Sequence, residues 1–267
     1  MATVAFIGAG PGAADLITVR GARLLAEAEV VLADALTDPT LREWAPRARW
    51  IDVGKRGFDR ATGQEVIHAL LLHHAATSRR VVRLKGGDPS VFGRLEEELA
   101  AVRAAGHTAV VVPGVTAALA AAADAQRPLT RRGRGRSVAL TTAMTREHDL
   151  AAGRHADTEV FYMAGRQLAG LARQLAAAGW PATTPVAVVS RAGWPDAIHS
   201  QHTLETLPRA SVLHSGRPTV VLVGVGADDP AATSASMGRP AAVDGDGGPG
   251  QVGGRSRARS SVLSTLP

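Results

Sequence analysis

The sequence predicts an α/β protein in two successive halves, followed by a disordered tail. Three observations carry this. Short apolar runs alternate with segments of helical spacing from residue 3 to about residue 226, the pattern of strands interleaved with helices. Several runs end in glycine-containing turns, at 8–12, 54–57, 85–93 and 113–116. From Asp228 onward Ala, Ser, Gly, Pro and Asp dominate and all periodicity stops.

The first half opens on a strand at 3–8, the turn Gly8-Ala9-Gly10-Pro11-Gly12, and a helix over 14–28 with apolar side chains at Leu16, Val19, Leu24, Leu25 and Ala28. A strand at 29–32 leads to Asp34. A helix over 39–45 and a strand at 50–53 precede a basic turn, Gly54-Lys55-Arg56-Gly57. The next helix, 64–77, carries His68, His73 and His74. Their spacing suits no metal pair on one helical face, so all three are expected on its exposed side.

A strand at 80–84 then runs into the stretch Arg83-Leu84-Lys85-Gly86-Gly87-Asp88-Pro89-Ser90-Val91-Phe92-Gly93-Arg94. Its two adjacent glycines let the backbone turn tightly and approach a ligand closely. Pro89 biases Asp88 to an extended conformation. A helix over 94–105 ends at Gly106, a C-cap type, and a strand at 109–112 meets Pro113-Gly114-Val115-Thr116. In open α/β sheets, ligands bind at such loops beyond the carboxyl ends of strands. The plain alternative is an ordinary turn between strand and helix.

The second half starts with an alanine-rich helix over 117–124, whose small side chains allow close packing of a ligand or another helix. A cluster follows: Arg127, Arg131, Arg132, Arg134 and Arg136. Strands at 137–142, 159–163, 185–190, 197–202 and 218–224 surround one helix over 166–178. So few helices leave little room for parallel crossovers, and a mixed sheet is expected. The expected divisions are 1–113, 114–227 and the disordered tail 228–267.

Composition narrows the function. The chain has 267 residues, 45% of them hydrophobic, enough for a sizeable core. It contains no cysteine, so thiolate metal sites, thiol nucleophiles and disulfides are excluded. No metal site is expected. No apolar run approaches the roughly 18 residues of a membrane span, and the N-terminus lacks a signal-peptide pattern; no membrane contact and a cytoplasmic protein are expected. The net charge of +6 and a pI of about 11.0 suggest a polyanionic partner. High arginine usage offers a purely compositional reason: Lys55 and Lys85 are the only lysines. Aromatic residues make up 3%, too few for a base-stacking platform, so no nucleic acid is expected and an RNA methyltransferase is a minor alternative.

A dinucleotide site is the other alternative. Gly8-x-Gly10-x-x-Ala13 fits the glycine fingerprint, with the acid Asp34 about 20 residues on. Against an NAD-dependent dehydrogenase, Pro11 removes a backbone donor from the loop that would cradle the pyrophosphate, and Asp34 has no clear ribose-binding continuation.

The ordered set of motifs is more specific than any one of them. Gly8-Ala-Gly-Pro-Gly12, Val30-Val-Leu-x-Asp34, Val53-Gly-Lys-Arg56, the Arg83–Arg94 stretch, Val112-Pro-Gly-Val-Thr-Ala117, Pro128-Leu-Thr130 and Phe161-Tyr-Met163 follow in this order. Together they resemble the tetrapyrrole methylase family, and within it the uroporphyrinogen-III C-methyltransferases, over residues 3–226. The resemblance implies two αβα domains with S-adenosylmethionine held in the cleft between them, usually in a homodimer. It implies methylation of the tetrapyrrole uroporphyrinogen III at two ring carbons, giving precorrin-2 for siroheme or cobalamin. Matched motif by motif, Pro11, Gly86, Gly87, Asp88, Val91, Thr116, Ala117, Met163 and Ala192 would line the cofactor site. Asp34 matches the family's proposed proton acceptor, with a helix or turn cap as its plain alternative, and Lys55 matches the proposed proton donor or, beside Arg56, holds a substrate carboxylate. Arg56, Arg94, Thr130 and Arg131 would bind the substrate. The chain departs from the usual pattern at Leu95-Glu96-Glu97, at Arg131 and at Thr141-Thr142-Ala143-Met144, all near where substrate should enter. A methyltransferase acting on another precorrin is the close variant.

Overall fold

A computed structural model describes residues 1–54, 63–143 and 152–229. Its first sheet contains β1 (Thr3–Gly8), β2 (Val30–Ala33), β3 (Arg49–Asp52), β4 (Arg80–Lys85) and β5 (Thr108–Val112). The order is β3-β2-β4-β1-β5, and every neighbouring pair is parallel. Strand side chains alternate between faces. On one face Ala5, Ile7, Val31 and Leu84 pack with Leu25 of α1 (Val19–Ala26) and Leu41. On the other, Val4, Phe6, Leu32 and Val81 pack with Ile67 and Leu71 of α2 (Gln64–Thr77) and Val102 of α3 (Leu95–Ala104). Both faces are covered, which is why β1 and β2 read as near-continuous apolar runs.

The second sheet contains β6 (Val138–Thr142), β7 (Thr158–Tyr162), β8 (Pro185–Ser190), β9 (Ile198–Thr203) and β10 (Thr219–Gly224), ordered β6-β7-β10-β8-β9. It is mixed, as expected: β6 and β7 are parallel and the other pairs antiparallel. Ala118 and Ala121 of α4 (Ala117–Asp124) pack against Val160, Ala187 and Leu222 on one face. Leu168, Leu171 and Leu175 of α5 (Leu168–Ala177) cover Phe161, Val188 and Val221 on the other. β5 ends at Val112 and β6 begins at Val138, so residue 113 falls between the sheets. Residues Met1–Pro230 nonetheless cluster as one compact unit.

Local differences from the sequence reading have physical causes. The helix expected over 14–28 is split into a 3-10 turn, Ala14–Leu16, and α1. Thr18 makes the break: its hydroxyl accepts the Gly21 amide at 3.1 Å and caps α1. Pro39–Trp44 is 3-10 rather than α-helical. The 3-10 turn Leu207–Ala210 and α6 (Ser211–His214) have no counterpart in the sequence reading. His74 is buried rather than exposed; burial, with His73 and Arg49 nearby, pushes its pKa below the ordinary value. His73 is exposed and His68 half-buried. Lys55, Arg56, Met144 and the tail from Pro230 lie outside the described residues. Among the described residues no helix is long and apolar enough to cross a membrane.

Candidate functional site

Parallel strands point their carboxyl ends the same way, so the loops after β1, β2, β4 and β5 gather at one edge of the first sheet. Two of them are joined by backbone: Gly87 N donates to Gly10 O at 2.7 Å, and Gly10 N to Gly87 O at 3.3 Å. Gly87 has φ +69°, open to glycine without strain. A Cβ on Gly114 would fall 2.3 Å from the Gly87 carbonyl oxygen, so only glycine lets the β5 loop close on this bridge. Asp88 completes the junction. Its Oδ2 accepts the Gly114 amide at 2.8 Å and its Oδ1 the Ser90 amide at 2.7 Å.

The second half closes against these loops. Ala13 N donates to Gly193 O at 2.7 Å, and Trp194 Nε1 to Pro11 O at 2.9 Å. The Gly193 amide donates to Asp124 Oδ2 at 2.7 Å. The Tyr162 hydroxyl meets Thr116 Oγ1 at 2.7 Å, and Phe92 packs edge-on against the Tyr162 ring at 4.9 Å. Burial pushes the Tyr162 phenol above its ordinary pKa, so it remains a donor.

These contacts remove the dinucleotide reading. Amides of the glycine turn bond Gly87 and Gly193 instead of pointing at a phosphate, and α1 starts only at Val19. β4 also separates β1 from β2, unlike the order of a dinucleotide-binding half.

Between the halves lies a cavity of about 220 Å³. Pro11, Gly86, Gly87, Asp88, Val91, Thr116, Ala117, Met163 and Ala192, the residues expected around a cofactor, all line it. Leu36, Phe92, Tyr162, Arg191, Trp194 and Thr219 also line it and are not singled out by the sequence reading. Phe92 and Tyr162 could have been found, since both sit inside the quoted motifs. Phe92, Met163 and Arg191 have φ of 53°, 59° and 53°. Such left-handed non-glycine residues cost on the order of 1 kcal/mol each and cluster at functional sites. Met163 is 55% exposed, a wall residue rather than a core one.

The other expected site residues lie elsewhere. Asp34 follows β2 and faces a small separate depression with Thr37, Arg42 and Trp50; Leu36, two residues on, reaches the main cavity. Its Oδ1 accepts Arg83 Nη2 at 2.5 Å, while about a third of its side chain stays exposed (30%). Arg94 is exposed at the start of α3 and pairs with Glu97 at 2.7 Å. Thr130 lines a different groove with Pro128, Leu129 and Leu140. Arg131 is largely buried and pairs with Asp228, which also takes Arg134 at 2.8 Å; Arg127 pairs with Asp229 at 3.2 Å. Much of the arginine cluster's charge is thus met within the chain.

A family model described as Tetrapyrrole (Corrin/Porphyrin) Methylases matches residues 3–208. A uroporphyrinogen-III C-methyltransferase of Pseudomonas aeruginosa is 43% identical over 190 residues, covering 70% of this chain and 78% of that protein. A siroheme synthase of Ectopseudomonas mendocina is 43% identical over 230 residues, covering 83% of this chain but 49% of that protein, so the chain spans about half the length of that relative. The crystal structure of the Thermus thermophilus uroporphyrin-III C-methyltransferase complexed with S-adenyl homocysteine superposes with a TM-score of 0.73 at 35% identity, covering 83% of this chain and 97% of that one. With the family model matching residues 3–208, more than half of the chain, this chain belongs to the tetrapyrrole (corrin/porphyrin) methylases.

Proposed function

We propose that the chain is an S-adenosylmethionine-dependent C-methyltransferase that converts uroporphyrinogen III to precorrin-2 by two methylations, on the route to siroheme or cobalamin. The observation that carries this is the convergence of nine motif residues, from both halves of the chain, on one cavity. The names of the relatives support the substrate.

The lining suits the donor. It is largely apolar, with one carboxylate, Asp88, and one guanidinium, Arg191. A Cβ on Gly87 would approach no atom closer than 3.9 Å, so the Gly86-Gly87 backbone lies open to a ligand. The volume is below the roughly 300 Å³ at which small-molecule pockets begin. The walls therefore enclose part of the donor and leave the rest toward the open cleft. S-adenosylmethionine, when bound, supplies an electrophilic methyl group on a sulfonium, so neither a metal nor a nucleophilic side chain is required.

The chain's own work is then alignment and proton handling. The loops after β1, β4, β5, β7 and β8 hold donor and ring carbon in line. Methyl transfer leaves the attacking pyrrole cationic, so a proton must leave elsewhere in the macrocycle, and Asp34 accepts it. Lys55 as proton donor and Arg56 as a grip on a substrate carboxylate are assigned from the family motif alone. Of the other substrate contacts, Arg94 is exposed and would exchange Glu97 for the substrate, Arg131 would exchange Asp228, and Thr130 lines a separate groove. A homodimer in the cytoplasm, with the tetrapyrrole as small-molecule partner, completes the proposal.

Mass spectrometry of uroporphyrinogen III incubated with the purified protein and S-adenosylmethionine tests it. Two added methyl groups are expected. An unmethylated product would remove this substrate, and methylation of a later precorrin alone would establish the sibling activity.

A further inference from the structure

Four charged side chains, none of them lining the cavity, form one linked network. Arg83 and Lys85 sit two residues apart on β4, so both point to the face covered by α3. There they meet Glu98. Arg83 Nε is 3.2 Å from Glu98 Oε2, and Lys85 Nζ is 3.0 Å from Glu98 Oε1. The side chains of Arg83, Lys85 and Glu98 are 3%, 2% and 1% exposed. The far end of the Arg83 fork reaches Asp34 Oδ1. Its Nη1 also donates to the carbonyls of Leu32 at 3.3 Å and Leu84 at 3.2 Å. Gln64 Nε2 donates to Glu98 Oε1 at 3.2 Å.

Stability alone does not account for this arrangement. Burying an ion is costly even after the surroundings relax, and well-packed apolar residues serve a core at least as well. Burial and the Arg83 charge together push the Lys85 amine below its ordinary pKa, against the pull of Glu98 and Asp34. What the network does achieve is a fixed guanidinium. Every edge of Arg83 is tied to backbone or to Glu98 except the one presented to Asp34. That edge occupies Oδ1 and leaves the other carboxylate oxygen as the proton-accepting one.

We infer that Arg83, braced by Glu98 and Lys85, is a positioning residue that orients the Asp34 carboxylate for proton abstraction. The inference rests on the proposed role of Asp34. In the step it serves, methyl transfer has left the pyrrole cationic; a C–H bond at another carbon of the macrocycle breaks, its electron pair neutralises the cation, and the proton goes to Asp34 as a new O–H bond. Arg83 touches neither donor nor substrate. A lysine in its place keeps the charge but has one point donor instead of the planar fork, so it cannot hold Asp34, Glu98 and two carbonyls at once.

The test is a double-mutant cycle on kcat with uroporphyrinogen III, using Arg83→Lys, Asp34→Asn and the pair. Arg83→Lys is expected to lower kcat on the order of 10-fold to 100-fold, the scale of a small misplacement of a reacting group. S-adenosylhomocysteine affinity should stay within about threefold of wild type, because neither residue lines the cavity. Asp34→Asn should cost about 100-fold or more, as for loss of a general base. Added to the Asp34→Asn variant, Arg83→Lys should then cost nothing further. Full additivity with Asp34→Asn impaired would overturn the positioning role while leaving Asp34 as acceptor. Full activity of Asp34→Asn would overturn both. Should Arg83→Lys fail to fold, Glu98→Gln runs the same cycle, with the same outcomes deciding.

Discussion

Replacing Asp88 by alanine removes the acceptor for two amides at once, those of Gly114 and Ser90. The two losses are unequal. The Ser90 contact is local and exposed, and water replaces it at little cost. The Gly114 contact spans 26 residues of chain, is partly buried, and joins the β4 loop to the β5 loop. Hydrogen bonds to a charged group contribute about 1.5–3 kcal/mol; partial burial puts this one near the lower end. A total loss of about 2 kcal/mol follows, or roughly 4–8 °C in Tm for a folded body of this size. The same loosening frees Gly87 and Thr116, so S-adenosylhomocysteine affinity should fall about tenfold or more. Calorimetry measures both quantities, by a thermal scan and by titration of S-adenosylhomocysteine. If Tm stays within a degree and affinity is unchanged, Asp88 neither braces the loops nor faces the donor.

Two further outcomes follow from the same geometry. Gly114→Ala sets a Cβ against two backbone strands that cannot swing away, 2.3 Å from Gly87 O and 2.8 Å from Gly8 Cα; it should destabilise the fold by at least the roughly 1–3 kcal/mol typical of overpacking, and a urea midpoint like that of wild type would contradict this. His214, fully buried between Ser190 and Ser200, has its pKa lowered from 6.5 to about 4, chiefly by burial, with His202, Arg217 and His199 adding to it. The unfolded chain therefore binds the extra proton between those values, so stability is complete above pH 6.5 and falls as pH drops toward 4, by on the order of 3 kcal/mol. His214→Asn should flatten that part of the stability profile, and an identical slope in the variant would exclude His214 as its source.

Runs rich in helix-forming residues and bounded by turn residues are legible in the sequence as elements. The helix at 64–77 and the helix at 117–124 form with the expected bounds, because their helix-forming side chains and the Gly63 and Thr116 that precede them act locally. The glycine turns are legible as ligand loops, and the nine residues that the family resemblance adds meet at one cavity. What escapes depends on partners distant in sequence. Arg83 and Lys85 look like the wet side of a half-exposed strand, yet β4 lies between β1 and β2 with α3 covering that face. Only the strand order, set by the whole sheet, turns them inward. The arginine cluster looks free because the carboxylates that meet it, Asp228 and Asp229, come about 100 residues later. His74 is misplaced by the sequence reading because α2 packs more of its circumference than its polar residues suggest.

Titrating S-adenosylhomocysteine into the wild-type protein and into Ala117→Phe tests the assignment of the cavity most directly. Ala117 lines the cavity at the start of α4 and is half-buried, so a phenyl ring there fills the cavity without entering the core. One site per chain is expected for the wild type and none for the variant, with the thermal transition of the variant preserved. Binding of equal strength by a folded Ala117→Phe protein would contradict the assignment and move the methyl donor out of this cavity.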